Sequence, residues 1–177
     1  MAHLEIVLVS NFEKQDPPEL TGVEGLTRVW AGNQIEDPNY GYYVLEWIGW
    51  EARKVLIPSG ISTLTLLSPA TDINNVFDDA PVSEFAFATL RDPFAREAWL
   101  KCLETTLGGM KMTKGAIAGV NGTAKDNDQQ YVFVIGWESL DDHKAALSAP
   151  YAQDIYNETV RLTEFNAKHA RLRRLTL

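Results

Sequence analysis

The fold is decided by the stretch Tyr131-Val132-Phe133-Val134-Ile135-Gly136-Trp137-Glu138-Ser139, which has an echo in Tyr43-Val44-Leu45-Glu46-Trp47-Ile48-Gly49-Trp50-Glu51-Ala52. The shared core is Ile-Gly-Trp-Glu, beginning at Ile48 and at Ile135. Ala31-Gly32 stands as far ahead of the first copy as Ala118-Gly119 stands ahead of the second. A strand-like run precedes each copy, at residues 4–10 and 84–89. Shared order and spacing predict an internal duplication, and a duplication changes the fold to be expected. The chain divides into residues 1–80 and 82–177, joined by a linker at 68–81 that is rich in proline, aspartate and asparagine.

The second half is the clearer one. Residues 84–90 alternate and carry aromatic side chains, as a strand does. Asp92-Pro93 supplies an N-cap and a first-turn proline. Phe94, Ala95, Ala98, Trp99, Cys102, Leu103, Thr106 and Leu107 then recur at helical spacing, and Gly108-Gly109 ends that helix. Residues 114–120 and 131–137 read as strands around a polar turn at 121–130, where Asn121-Gly122 is a turn dipeptide. Ser139 caps the next helix, with Asp142 three residues on. Pro150 interrupts that helix or starts another, Ile155, Thr159 and Leu162 continue an apolar face, and residues 170–176 close with a strand. The order β-α-β-β-α-β is the ferredoxin-like unit.

The first half follows the same order with its helices shortened or lost. Pro17-Pro18, Gly22 and Gly25 crowd the space of the first helix, and Pro58 and Gly60 cut the second. Residues 61–67 are rich in β-branched side chains and read as a strand. The fold class expected is α+β: two tandem ferredoxin-like units with antiparallel sheets forming a barrel, the first unit degenerate.

The stretch from Val134 to Ala145 resembles the Gly-Trp-Glu-Ser-x-x-x-His segment of dimeric α+β-barrel proteins related to the antibiotic-biosynthesis monooxygenase (ABM) domain. Tyr151 falls where those proteins often carry an aromatic residue. Residues 29–39 resemble the matching piece of two-repeat fungal members. The resemblance implies two sheets paired into a barrel, here within one chain, and points to oxygenation, cyclisation or lyase-type proton transfer on an aromatic or polyketide-like molecule. Each sheet has one face on its helices and needs a partner for the other. Two such faces leave a central cavity if their inward side chains are small or irregular.

Of 177 residues, 24 are acidic and 16 basic, a net charge of −8 that repels phosphates and argues against nucleic acid. The apolar run near the N-terminus is too short for a membrane span and lacks a signal-peptide layout. Cys102 is the only cysteine, which forbids an intrachain disulfide or a multi-cysteine metal cluster. A cytoplasmic protein without membrane attachment is expected, either a monomer with an intrachain pseudo-dimer or a homodimer. His3, His143 and His169 show no metal-ligand spacing, and the sequence has no dinucleotide or phosphate-loop motif, so neither metal nor cofactor is expected.

His143 lies three residues after Leu140 and four before Leu147, on the apolar face of its helix. There it can act as a general base, the alternative being a structural histidine held by a carbonyl or carboxylate. No histidine follows Trp50, where Arg53-Lys54 stands instead, so a histidine site is asymmetric, one per chain. Glu46 is the second catalytic candidate. Pointing inward it becomes a carboxylate with a raised pKa; pointing outward it is merely solvated. Trp50 and Trp137 are read as equivalent strand positions. With Tyr131, Phe133 and Tyr151 they are the expected contacts to an apolar ligand, though tryptophans at such positions also serve as plain core.

Three functions compete at this stage. The first is a small cofactor-independent enzyme with acid/base side chains in a barrel cavity. The second is a non-catalytic small-molecule-binding or stress-related protein of the same fold. The third is haem handling with His143 or His169 on the iron.

Overall fold

The computed structural model describes residues 3–14, 18–53, 56–57, 60–67, 73–110 and 112–177. The first half supplies strands β1 (His3–Ser10), β2 (Leu26–Asn33), β3 (Tyr40–Trp47) and β4 (Ile61–Leu67). The second supplies β5 (Val82–Leu90), β6 (Ala116–Ala124), β7 (Gln130–Trp137), β8 (Thr163–Ala170) and the two-residue β9 (Arg173–Arg174). A short helix α1 (Asn74–Phe77) precedes β5, and α2 (Arg96–Met110), α3 (Leu140–Leu147) and α4 (Pro150–Leu162) belong to the second half. The second half therefore runs β-α-β-β-α-β with its last helix broken in two at Pro150. In the first half the described residues at the helix positions form 3-10 turns at Phe12–Lys14 and Trp50–Ala52.

Every strand pair is antiparallel, in the order β8-β5-β7-β6-β4-β1-β3-β2-β9. Two seams join the halves. At one, β4 pairs with β6, Thr65 opposite Ala124. At the other, β9 pairs with β2 and Gln34 bridges Ala170 at the end of β8, so the two ends of the sheet meet. Each half thus offers its last strand to the second strand of the other, and the sheet closes on itself as a barrel. Gly32 permits this closure, because a Cβ there would sit 1.8 Å from the Arg171 carbonyl oxygen.

The barrel interior is full. Leu4, Ile6, Trp30, Tyr42, Val44, Phe85, Val132 and Val134, drawn from both halves, form one buried cluster. Tyr42 stacks on Phe85 with centroids 4.4 Å apart, and Phe77 lies 5.0 Å from Trp30. Ile73, Val76 and Phe77, at and beside α1, belong to the same cluster, so the end of the linker plugs the barrel. Residues 68–72 of that linker lie outside the described residues. Gly136 accepts the plug: a Cβ there would lie 2.7 Å from Ala80 Cβ. The central cavity expected from sequence is absent among the described residues, because the inward side chains are large and aromatic.

The structure moves the internal repeat by three residues. Trp47 pairs with His3 and Leu26, and Trp137 pairs with Val82 and Ala116. Trp47, not Trp50, is therefore the counterpart of Trp137, and Ala31-Gly32 matches Asn121-Gly122. Three is an odd shift, so along a strand it exchanges the two faces. Trp50 falls beyond the end of β3.

Three boundaries also differ from expectation. Helix α2 continues through Gly108-Gly109 to Met110, and the chain reverses near Gly115, whose φ is +80°. Asn121-Gly122 lies inside β6; the turn follows at Asn127, whose Oδ1 accepts the Gln129 N–H. The closing strand starts at Thr163, directly after α4, rather than at residue 170.

Candidate active site

The helix-facing side of the second half carries the polar cluster. Tyr131, Phe133, Ile135 and Trp137 stand on one face of β7 and pack under α2–α4. Glu84 of β5 lies in register with Ile135 on one side and His169 of β8 on the other. Ser139 caps α3 by accepting the Asp142 N–H at 3.1 Å, as the sequence predicts. That cap sets His143 in the first turn of α3, its ring 4.8 Å from the Trp137 ring.

The cluster is continuous. Trp137 Nε1–H donates to Glu84 Oε2 at 3.0 Å. Glu84 Oε2 is 3.4 Å from His143 Nε2. His143 Nδ1 is 2.8 Å from His169 Nε2, and His169 Nδ1 is 2.5 Å from Glu36 Oε1. The backbone N–H of His169 also donates to the Glu36 carboxylate. Glu36 comes from the first half, in the loop after β2, and the seam holds it there: Ile35 N–H donates to the His169 carbonyl at 2.7 Å.

Burial sets the electrostatics. It pushes the Glu84 carboxyl above its ordinary range, with the His169 charge and the Trp137 hydrogen bond only partly opposing. Burial, helped by the His169 charge, lowers His143 from 6.5 to about 4 against a smaller pull from Glu36. Burial also raises Glu36, but its hydrogen bonds from His169 outweigh that and hold it low. His143 is therefore a neutral imidazole near pH 7, and Glu84 binds a proton more readily than an ordinary carboxylate.

A stability test follows from His143. Its folded pKa lies below its unfolded value, so its contribution is complete above about 6.5 and is lost as the pH falls through about 4. Melting temperatures of His143→Gln should fall less steeply than those of the parent across that window. Parallel curves would contradict a neutral buried imidazole.

A cleft of about 100 Å³ opens onto Glu84 and His143, walled by Phe133 and Trp137 and by Met110, Leu147, Ile155 and Phe165. Tyr151 lines it with its hydroxyl 2.9 Å from Thr113 Oγ1, and the residue is half exposed. The cleft lies outside the barrel, between sheet and helices, rather than in the interior where the sequence suggested a cavity.

His143, Trp137, Phe133 and Tyr151 all line this cleft. Tyr131 shares the face but sits against Trp99, centroids 5.8 Å apart, and does not line the cleft. Trp50 is in the other half, 4.5 Å from the His3 ring and beneath Lys125 Nζ. Glu46 is also remote from the cleft. Arg28 donates to both of its oxygens, at 2.6 and 2.7 Å, and Thr27 Oγ1 donates at 2.5 Å. Burial raises Glu46, but these bonds overcome it and leave the carboxyl below its usual range, the reverse of the raised value an inward carboxylate would have.

Sequence reasoning missed Glu84 and Glu36, and named His169 only as a haem-ligand candidate. A carboxylate in phase with Ala86 and Ala88 on a central strand was a usable signal for Glu84. The place of His169 was hidden because the closing strand was read from residue 170, one position beyond it, and nothing local marks Glu36. The first half repeats the carboxylate–indole pair: Trp47 Nε1–H donates to Glu5 Oε2 at 3.2 Å. There Arg53 donates to Glu5 at 2.6 Å, so a fixed cation stands where the second half has imidazoles. The asymmetry expected from Arg53 has this physical basis.

Glu84, His143 and His169 also place one ligand atom each within 4.8 Å of one another, all three buried. Two imidazoles and a carboxylate suit a divalent metal. The direct His143–His169 contact occupies two of the nitrogens, so a metal would first have to part them. His169 uses both ring nitrogens and His143 Nε2 faces Glu84 at 3.4 Å, so haem iron would have to displace one of these contacts. No helix among the described residues is long and apolar enough to cross a membrane.

No protein-family model matches the chain. No curated protein matches it either. Solved structures do. An anthrone oxidase-like protein superposes with a TM-score of 0.72 at 11% identity, over 98% of this chain and 92% of that one. A monooxygenase candidate from Fusobacterium nucleatum superposes with a TM-score of 0.67 at 14% identity, over 99% and 93%. A heme-degrading enzyme from Listeria monocytogenes superposes with a TM-score of 0.59 at 13% identity, over 94% and 98%. These likenesses concern the fold: the chain is an α+β barrel of the dimeric type, with both ferredoxin-like halves in one polypeptide.

Proposed function

We propose that this barrel is an ABM-like enzyme that needs no cofactor and removes a proton from a flat, apolar, carbonyl-activated molecule, aromatic or polyketide-like, bound in the cleft beside Glu84. The observation that carries the reading is a buried carboxyl of raised proton affinity, tethered by Trp137 and His143 and opening onto an aromatic-walled cleft. A carboxyl whose proton affinity is raised by burial is a stronger base than an ordinary carboxylate. Glu84 takes the proton, the substrate C–H bond breaks, and its electron pair spreads onto the substrate carbonyl. His143 and Trp137 hold Glu84 in place, and Phe133 and Tyr151 contact the ligand. The carbanion combines with dioxygen, the peroxide takes the proton back from Glu84, and the O–O bond and the second C–H bond break to release water and leave the quinone; in a cyclase or lyase variant the carbanion rearranges instead. The likeness in fold to an anthrone oxidase-like protein supports a trial of anthrone, whose C–H lies between two rings and opposite a carbonyl.

The test is oxygen uptake and quinone absorbance with anthrone, against protein-free solution. Catalysed conversion is expected. If anthrone quenches tryptophan fluorescence but is not turned over, the second reading holds instead, a binding protein of the same fold; the predominantly apolar cleft favours that reading. Neither binding nor conversion by anthrone and related polycyclic ketones would sink both.

A further inference from the structure

Four side chains run in one line from the cleft to the surface. Glu84, His143 and His169 are buried at 5%, 7% and 7% exposure, whereas the Glu36 side chain is 32% exposed. Successive contacts measure 3.4, 2.8 and 2.5 Å, and each imidazole uses opposite nitrogens for its two neighbours. That is the arrangement in which an imidazole accepts a proton on one nitrogen and releases another from the second. The outermost group belongs to the other half of the chain and is held across the β2–β8 seam by backbone hydrogen bonds. A purely structural ion pair would not require the line to continue to Glu84.

We propose that this line is a proton path between Glu84 and solvent, with His169 as relay and Glu36 as its outer terminus. It rests on the reading of Glu84 as the acid–base group of the cleft. The O–H bond of protonated Glu84 breaks as His143 Nε2 takes the proton. The Nδ1–H bond of His143 breaks as His169 Nε2 takes the next. The Nδ1–H bond of His169 breaks as Glu36 Oε1 takes the third, and Glu36 passes a proton to water. Each electron pair stays on the atom the proton leaves, so the net change is one proton moved from Glu84 to water. The reverse sequence returns a proton and restores the starting tautomers. The barrel seam thereby becomes part of the site, and the first half contributes to chemistry in the second.

The test needs no substrate. A pH jump followed by time-resolved infrared spectroscopy reads the protonated carboxyl band of Glu84, assigned by its loss in Glu84→Gln. Relaxation rates are compared at each variant's own midpoint, so that a changed proton affinity does not masquerade as a changed rate. Glu36→Gln keeps the shape of the terminus but cannot carry a proton, and is expected to slow the relaxation by roughly tenfold or more. His169→Asn, which breaks the line at its middle, should slow it as well and serves if Glu36→Gln loosens the seam. An unchanged rate in both folded variants would mean that protons reach Glu84 through the cleft, and would overturn the proposal. So would the absence of any Glu84 band. Failure of anthrone turnover alone leaves this experiment intact, so the two readings fail separately.

Discussion

A Glu84→Gln variant is expected to lose anthrone turnover by roughly 10²–10⁴-fold, the range that loss of a positioned general base covers, while remaining folded. The amide keeps the carboxyl's shape, and its oxygen still accepts the Trp137 N–H. What it loses is the capacity to take a proton. Stability should move the other way. A carboxyl whose folded pKa is raised contributes stability below its unfolded pKa, and that contribution is lost as pH rises through the folded value. Above its folded pKa the parent must keep an ionised carboxylate in a buried site, and Glu84→Gln need not. The melting temperature of the variant should therefore gain on that of the parent as the pH is raised. Full turnover in the variant would remove Glu84 from the chemistry. His143→Ala is a less discriminating probe, because it also strands the His169 Nε2 atom without its partner. Glu46→Gln should leave turnover at the parental level, since Glu46 is committed to Arg28 and Thr27 in the other half.

The second large effect concerns the filled barrel. Phe85→Ala is expected to cost ~3–5 kcal/mol, the span for emptying a buried phenylalanine site. Phe85 is fully buried, stacks on Tyr42 at 4.4 Å and lies 6.3 Å from Phe77 of the plug. Strands of both halves surround it, so the cavity cannot collapse without moving a seam. For a chain of this length the melting temperature should drop by roughly 6–20 °C, a large share of the ~5–15 kcal/mol that holds a typical domain folded. Phe94→Ala is the internal control, because that ring is 96% exposed and its loss should hardly register. A Phe85→Ala protein that melts with the parent would mean that the interior is loosely packed, and would reopen the barrel centre as a ligand site.

Much of the second half was legible because local period and capping agree there. The alternation of β5 and β7, the Ser139 cap and the Asp92-Pro93 helix start each depend on neighbours within a few residues. The degenerate first half was legible for the same reason, since prolines and glycines clustered within a few residues disfavour a helix interior. His143 was found because a helical face is a local property. Strand β8 was overlooked because Glu164, Asn166 and Lys168 interrupt its apolar positions and it follows α4 without a turn residue. The repeat register was misread because an echo compares letters along the chain, whereas register is set by hydrogen-bond partners on another strand. A three-residue error then moved the attention from Trp47 to Trp50 and from one strand face to the other.

The sequence alone determined the class of the fold: two β-rich halves on one plan, the first with its helices shortened or lost, and a histidine on the buried face of a helix in the second. Those features follow from side-chain period and backbone permissiveness, which act over a turn or a strand. Only the tertiary structure decided that the barrel is plugged, that the cleft lies under the helices, and that Glu84, His143, His169 and Glu36 form one line. Glu36 and His169 are 133 residues apart, and the pair exists only because the sheet closes on itself. Burial, which shifts the proton affinities of Glu84 and His143, is likewise a property of the assembled chain and of no segment within it.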